Sequence, residues 1–140
     1  MNSPARPATV AVVITTYNHA RFLPQALDSV MAQTQRADEI VVIDDGSSDD
    51  PAAVVSHHEG VKFIRQHNQG LAAARNTGLH ALRSDKVIFL DADDRLLPNA
   101  IADGMACFAA APSSGLVFGA HRRIDEAGQP IGDVVYQPVG

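Results

Sequence analysis

The sequence has no tryptophan, two tyrosines and one cysteine, Cys107, in 140 residues. A lone cysteine excludes an internal disulfide, and a reducing compartment is the natural reading. Basic residues are few: eleven Lys and Arg against sixteen Asp and Glu, a formal net charge of −5. Without a basic stripe, nucleic acid finds no electrostatic footprint, and no nucleic-acid partner is expected. The apolar run at residues 8–14 (ATVAVVI) is too short to cross a membrane and has no small-residue cleavage site behind it. A cytoplasmic location is expected, with docking at a membrane surface left open. Repeats and low-complexity tracts are missing. So are the P-loop pattern GxxxxGK followed by Ser or Thr, the dinucleotide pattern GxGxxG after the first strand, and the GxSxG nucleophile elbow. What remains is the make-up of an ordinary globular domain: 46% hydrophobic and 19% charged residues. One domain's worth of chain at this size buries about two-thirds of its unfolded surface.

The order of elements carries the main signal. Residues 8–14, 39–43 (EIVVI), 61–64 (VKFI), 86–90 (KVIFL) and 115–119 (GLVFG) read as strands, several of them continuous apolar runs suited to burial on both faces. Between them, residues 20–33, 51–57, 70–82 and 98–110 carry helical spacing. Pro24 is tolerable only in a first turn, Ser48 or Asp49 is placed to cap the second helix, and Gly78 weakens the third. Residues 121–125 and 130–136 suggest a hairpin. Alternating strands and helices predict an α/β fold with a mostly parallel sheet and flanking helices. In such sheets ligands sit beyond the carboxyl ends of the strands. Here those ends carry Thr15-Thr16-Tyr17-Asn18, Asp44-Asp45 and Asp91-Ala92-Asp93-Asp94. Three polar clusters are therefore expected at one edge.

Asp91, Asp93 and Asp94 repel one another unless a cation lies among them. Asp91 and Asp93, two apart after a strand, suit one hard divalent ion such as magnesium or manganese, with substrate phosphates completing its shell. A solvated acidic turn is the plain alternative. A carboxylate at Asp44 or Asp45 suits a ribose hydroxyl or a base N–H, and equally suits turn and cap chemistry. Tyr17 offers a ring for stacking on a base, or is an aromatic at the sheet edge. Asn18 and His19 read as caps for the following helix. Gly70 permits close backbone approach at a helix start, with Arg75 about one turn further on to reach a phosphate or an Asp. The six histidines show no metal spacing, His57 and His58 read as surface residues, and Cys107 reads as a small buried hydrophobe.

Four stretches together resemble glycosyltransferase family 2, of GT-A (Rossmann-like) fold: VVITTYNHARFLPQALDSVMAQT, EIVVIDDGSSDD, NQGLAAARNTG and VIFLDADDRLLP. The likeness runs from about Ala8 to Pro98. It implies that Thr15 and Tyr17, with Asn18 beside them, line the base pocket of a nucleotide-sugar donor, usually a UDP-sugar. It implies that Asp44 accepts from the base, with Asp45 alongside, and that Arg75 and Asn76 support the donor site. Asp91 and Ala92 would lie against the donor, Asp91 nearing ribose and metal, and Asp93 would be the main ligand of a Mn2+ or Mg2+ ion. The implied reaction is inverting transfer of a sugar to a hydroxyl of a glycan, lipid or protein acceptor. Its general base is expected downstream, in an acceptor-binding half that these residues only begin.

The expected organisation is a tail over residues 1–7, a nucleotide-sugar domain over 8–120, and a hairpin over 121–140 opening the acceptor region. An exposed sheet edge there would favour pairing of copies into a homo-oligomer. A module that binds nucleotide sugar and metal without transfer is the alternative function. A receiver-type domain would want a lysine after its last strand, and a phosphatase would want a nucleophilic Asp near the first strand. Neither is supported.

Overall fold

A computed structural model describes residues 5–136. Its elements run β1 (Val10–Thr16), α1 (Leu23–Met31), β2 (Glu39–Asp44), α2 (Pro51–Val55), β3 (Val61–Arg65), α3 (Leu71–His80), β4 (Lys86–Asp91), α4 (Ala100–Ala110), β5 (His121–Ile124) and β6 (Pro130–Val135). Two compact units result, one through Ile101 and one from Ala102 onward. The boundary falls within α4, whereas the sequence suggests one domain through residue 120. Among the described residues no helix is long and apolar enough to cross a membrane.

The first unit is a four-stranded sheet in the order β3-β2-β1-β4, with every pairing parallel. The apolar β1 run explains its central place, since all seven of its residues are buried. α1 covers the sheet with Leu23, Ala26, Leu27 and Val30, an i, i+3, i+4, i+7 stripe. It is shorter than the spacing suggests. Residues 20–22 form a turn, in which His19 O accepts from the N–H groups of Phe22 and Leu23.

Gly78 is no flaw in α3. A Cβ there would lie 2.4 Å from Val13 Cγ1, so glycine is what lets α3 press on β1. Ala74, Val13, Val41 and Ile43 form the core beneath that contact. Acidic side chains fasten the amino ends of the strands. Asp85 accepts from Thr9 and Arg6, Asp38 from Val10 N, and Glu39 from Arg83 N and Ser84. The carboxylates of Asp85 and Glu39 are held below their usual range by these hydrogen bonds, chiefly from Thr9 and from Ser84.

Four local expectations are corrected. Residues 115–119 are not a strand; they pair with nothing among the described residues, and Leu116 and Phe118 lie exposed. Asp50, not Ser48 or Asp49, caps α2 by accepting from Ala53 N. Cys107 is exposed rather than buried, because only Ile101 of α4 is buried among the described residues. His58 is half-buried, its ring bridging Val54 O and Asp28. The second unit contains the antiparallel pair β5–β6. Residues 137–140, at the end of the expected hairpin, and residues 1–4 of the expected tail lie outside the described residues.

Candidate functional site

The parallel register fixes where the polar clusters meet. Thr16 lies opposite Asp44 on one side of β1, and Thr15 lies opposite Asp91 on the other. A cleft of about 490 Å³ opens at this carboxyl edge. Thr15, Thr16 and Tyr17 from the end of β1 line it, together with Asp45 after β2 and Asp91 and Asp93 at β4. His19, Asn68, Gly70, Leu71 and Ala74 complete the wall.

The β2 end is a finished hydrogen-bonded structure. Asp44 is fully buried. Its Oδ1 accepts from Ser47 N, and its Oδ2, which accepts no hydrogen bond among the described residues, lies 3.3 Å from Arg65 Nη1. Arg65 also donates to Ser47 O. Asp45 ties this loop to the start of α3. Its Oδ1 accepts from Gln66 Nε2 and Gln69 N, and its Oδ2 from Gly70 N. Burial pushes the Asp45 carboxyl up, but the Gln69, Gln66 and Gly70 donors outweigh it and hold the carboxyl below its ordinary range. Gln66 is itself fixed, since Thr77 donates to its Oε1. Gly46, at φ +81°, allows the two loops to touch: a Cβ there would lie 2.9 Å from Asn68 N.

Asn18 belongs to the same scaffold. It takes a left-handed φ of 56°, which asparagine tolerates better than most residues. Its N–H donates to Ser47 Oγ, and its Oδ1 accepts from Ser48 N and Oγ. It therefore caps the β2 loop and not α1, whose N-cap is Phe22 with no side-chain hydrogen bond.

The β4 end is only half filled. Asp91 Oδ1 accepts from Thr15 Oγ1 and from Arg75 Nη2, each at 3.1 Å. Arg75 thus reaches an Asp, one of the partners its position suggests, and its guanidinium lies 5.9 Å from the Phe89 ring centroid. Asp93 is exposed and accepts no hydrogen bond among the described residues; His19 Nδ1 lies 3.9 Å from its Oδ2.

A divalent ion fits this donor set. Asp93 offers an unengaged carboxylate and Asp91 a second oxygen, the hard donors that magnesium and manganese prefer. Among the described residues no three His, Cys, Asp or Glu side chains group as a ready-made site. Oxygens of a bound diphosphate are the natural complement.

Of the residues singled out from sequence, Thr15, Tyr17, Asp45, Asp91 and Asp93 line the cleft. Asp44, Asn18, Arg75 and Ala92 are outside the lining, as is Asn76, which is exposed on α3. Ala92 is buried, with its N–H donating to Thr15 O. Sequence reasoning did not assign Thr16, His19, Asn68 or Leu71 to the site. Each sits within or next to a quoted stretch, so proximity was the available signal. From sequence, His19 reads as a helix cap.

Known proteins resemble the chain in sequence and in fold. Residues 11–132 match the family described as glycosyl transferase family 2. An uncharacterized glycosyltransferase of Nostoc sp. is 42% identical over 95 residues, which are 64% of this chain and 30% of that protein. Chondroitin synthase of Escherichia coli is 30% identical over 138 residues, 96% of this chain and 20% of that protein. The chain therefore spans less than a third of the length of either relative. Among solved structures, the mannosyltransferase PcManGT of Pyrobaculum calidifontis, in complex with GDP-Man and Mn2+, superposes with a TM-score of 0.65 at 28% identity. That match covers 83% of this chain and 35% of the other. The structure of Staphylococcus aureus TarS residues 1–349 with UDP shares the fold, with a TM-score of 0.68 at 21% identity over 83% of this chain and 41% of that one. The four-stranded parallel sheet with flanking helices is thus a GT-A-like α/β domain, and the chain belongs to glycosyl transferase family 2.

Proposed function

We propose that the cleft binds a nucleotide-sugar donor, a UDP-sugar, with a divalent cation, for inverting transfer of the sugar to an acceptor hydroxyl. The observation that carries this reading is the division of labour around β1. A prebuilt, hydrogen-bonded wall at Asp45 faces an under-satisfied carboxylate at Asp93 across one cleft. Tyr17, 48% exposed at the rim, offers a face for the base. Asp91 and Asp93 would hold the cation, with Arg75 keeping Asp91 in place. A bound divalent ion supplies charge stabilisation for the nucleoside diphosphate as it leaves. PcManGT, at 28% identity, carries a nucleotide sugar and Mn2+ in its structure, which supports the donor class and the metal. The acceptor, a glycan, lipid or protein, and the base that deprotonates it belong on this reading to further sequence of the kind the longer relatives carry. A lone cysteine fits a cytoplasmic setting, including the membrane face if the acceptor is a lipid.

Thermal melts of the chain with UDP, GDP, ADP and CDP, each with and without Mn2+, test the proposal. UDP with Mn2+ is expected to raise the melting temperature most, because a ligand that binds only the folded state stabilises it by mass action. A larger rise with GDP would replace the base assignment. No rise with any nucleotide would overturn the donor-site reading.

A further inference from the structure

We propose that His19 supplies a nitrogen ligand to the divalent cation, beside Asp93. The inference rests on the donor-site reading above and adds to it a residue from the β1–α1 loop, far in sequence from the acidic turn after β4.

The imidazole lines the cleft together with Asp93. Its Nδ1 stands 3.9 Å from Asp93 Oδ2, too far for a hydrogen bond. Both side chains are nearly half exposed, at 44% and 48%, so an ion pair across that gap contributes little. The spacing does suit two donors sharing one ion. Ligands each about 2.1–2.2 Å from a common cation stand about 3.0 Å apart at a right angle and about 4.3 Å apart when opposite. The observed separation falls between those limits.

The ring is also held where a ligand is needed. It packs edge-on against Phe22, with centroids 5.8 Å apart and planes at 84°. The Arg21 guanidinium lies 4.4 Å from the centroid of the Phe22 ring. His19 O anchors the turn through the N–H groups of Phe22 and Leu23, and the left-handed Asn18 before it is fastened to Ser47 and Ser48. An imidazole so placed turns a site of oxygens alone into a mixed one, and a nitrogen ligand shifts preference from magnesium toward transition metals such as manganese.

Pulsed EPR on the chain with Mn2+ and UDP reads this directly, because a nitrogen bound to Mn2+ modulates the electron spin echo. The expected result is a 14N modulation in the wild type that changes on histidine-specific 15N labelling and disappears in His19→Ala. The exposed His57→Ala control is expected to keep it. Calorimetry is expected to show Mn2+ affinity about tenfold or more weaker in His19→Ala, with a narrower margin of Mn2+ over Mg2+. The labelled wild type shows whether a histidine binds the ion even if a variant folds poorly, and His19 is the histidine that lines the cleft among the described residues. A wild type that binds Mn2+ with UDP, lacks histidine modulation and loses nothing in His19→Ala would overturn this inference and leave the donor-site reading standing. A wild type that binds neither would overturn both.

Discussion

The two acidic strand ends flanking β1 have similar sequences and opposite states. After β2, Asp44 is fully buried against Arg65, and both oxygens of Asp45 are engaged by three donors. After β4, Asp91 shares one oxygen with Thr15 and Arg75, while Asp93 stands in solvent with no hydrogen bond among the described residues. The first end is built by the chain itself. The second has Arg75 on Asp91 but leaves Asp93 without a hydrogen bond among the described residues, a place that a ligand's cation would fill. An acidic pair at a strand end is therefore not one kind of feature. Whether its oxygens are already satisfied separates a carboxylate that holds the fold from one that awaits a partner.

Removing each kind of carboxylate should then have different consequences. Asp45→Ala takes the acceptor from Gln66 Nε2, Gln69 N and Gly70 N at once, and is expected to cost about 3 kcal/mol in denaturant melts. A loss below about 1 kcal/mol would mean that this wall is not prebuilt. Gly78→Ala forces a methyl group against Val13 and is expected to cost about 1–3 kcal/mol by overpacking, with the loss relieved by Val13→Ala in the double variant. A stabilised Gly78→Ala would show that helix propensity outweighs the close contact.

The smallest effect concerns acid. The Asp45 carboxyl titrates below its ordinary value in the folded chain. Its contribution is therefore fully present above the unfolded value of about 3.9 and is lost as pH falls through the lowered folded value. Stability measured from pH 6 down to pH 3 should fall less steeply in Asp45→Asn than in the wild type. Parallel curves would contradict the hydrogen-bonded, ionised state assigned to Asp45.

Much of the fold was legible because strands such as VAVVITT and EIVVID are apolar and short, and parallel burial needs such runs. The same periodicity misled at residues 115–119, where GLVFG has apolar content but no partner strand among the described residues. Strand pairing is a long-range fact that five residues do not carry. Gly78 looked like a defect in α3 because its reason, Val13, lies 65 positions away in sequence and in contact only through the fold. In the candidate site, residue types and strand ends pointed to Thr15, Tyr17, Asp45, Asp91 and Asp93, which line the cleft. Which carboxylate was free and which was consumed by the scaffold depended on Arg65, Gln66 and Gly70, all beyond local pattern. His19 was hidden for the same reason, since its nearness to Asp93 arises from two loops on neighbouring strands.

The most direct test is a calorimetric titration of UDP with and without Mn2+ into the wild type and Asp93→Ala, after both have been melted in denaturant. The account predicts Mn2+-dependent binding in the wild type and a loss of at least about 100-fold in Asp93→Ala. It also predicts a folding stability within about 0.5 kcal/mol of wild type, because the exposed Asp93 supports no hydrogen bond among the described residues. Undiminished Mn2+-dependent binding in Asp93→Ala would contradict the claim that this carboxylate is held open for a ligand's cation.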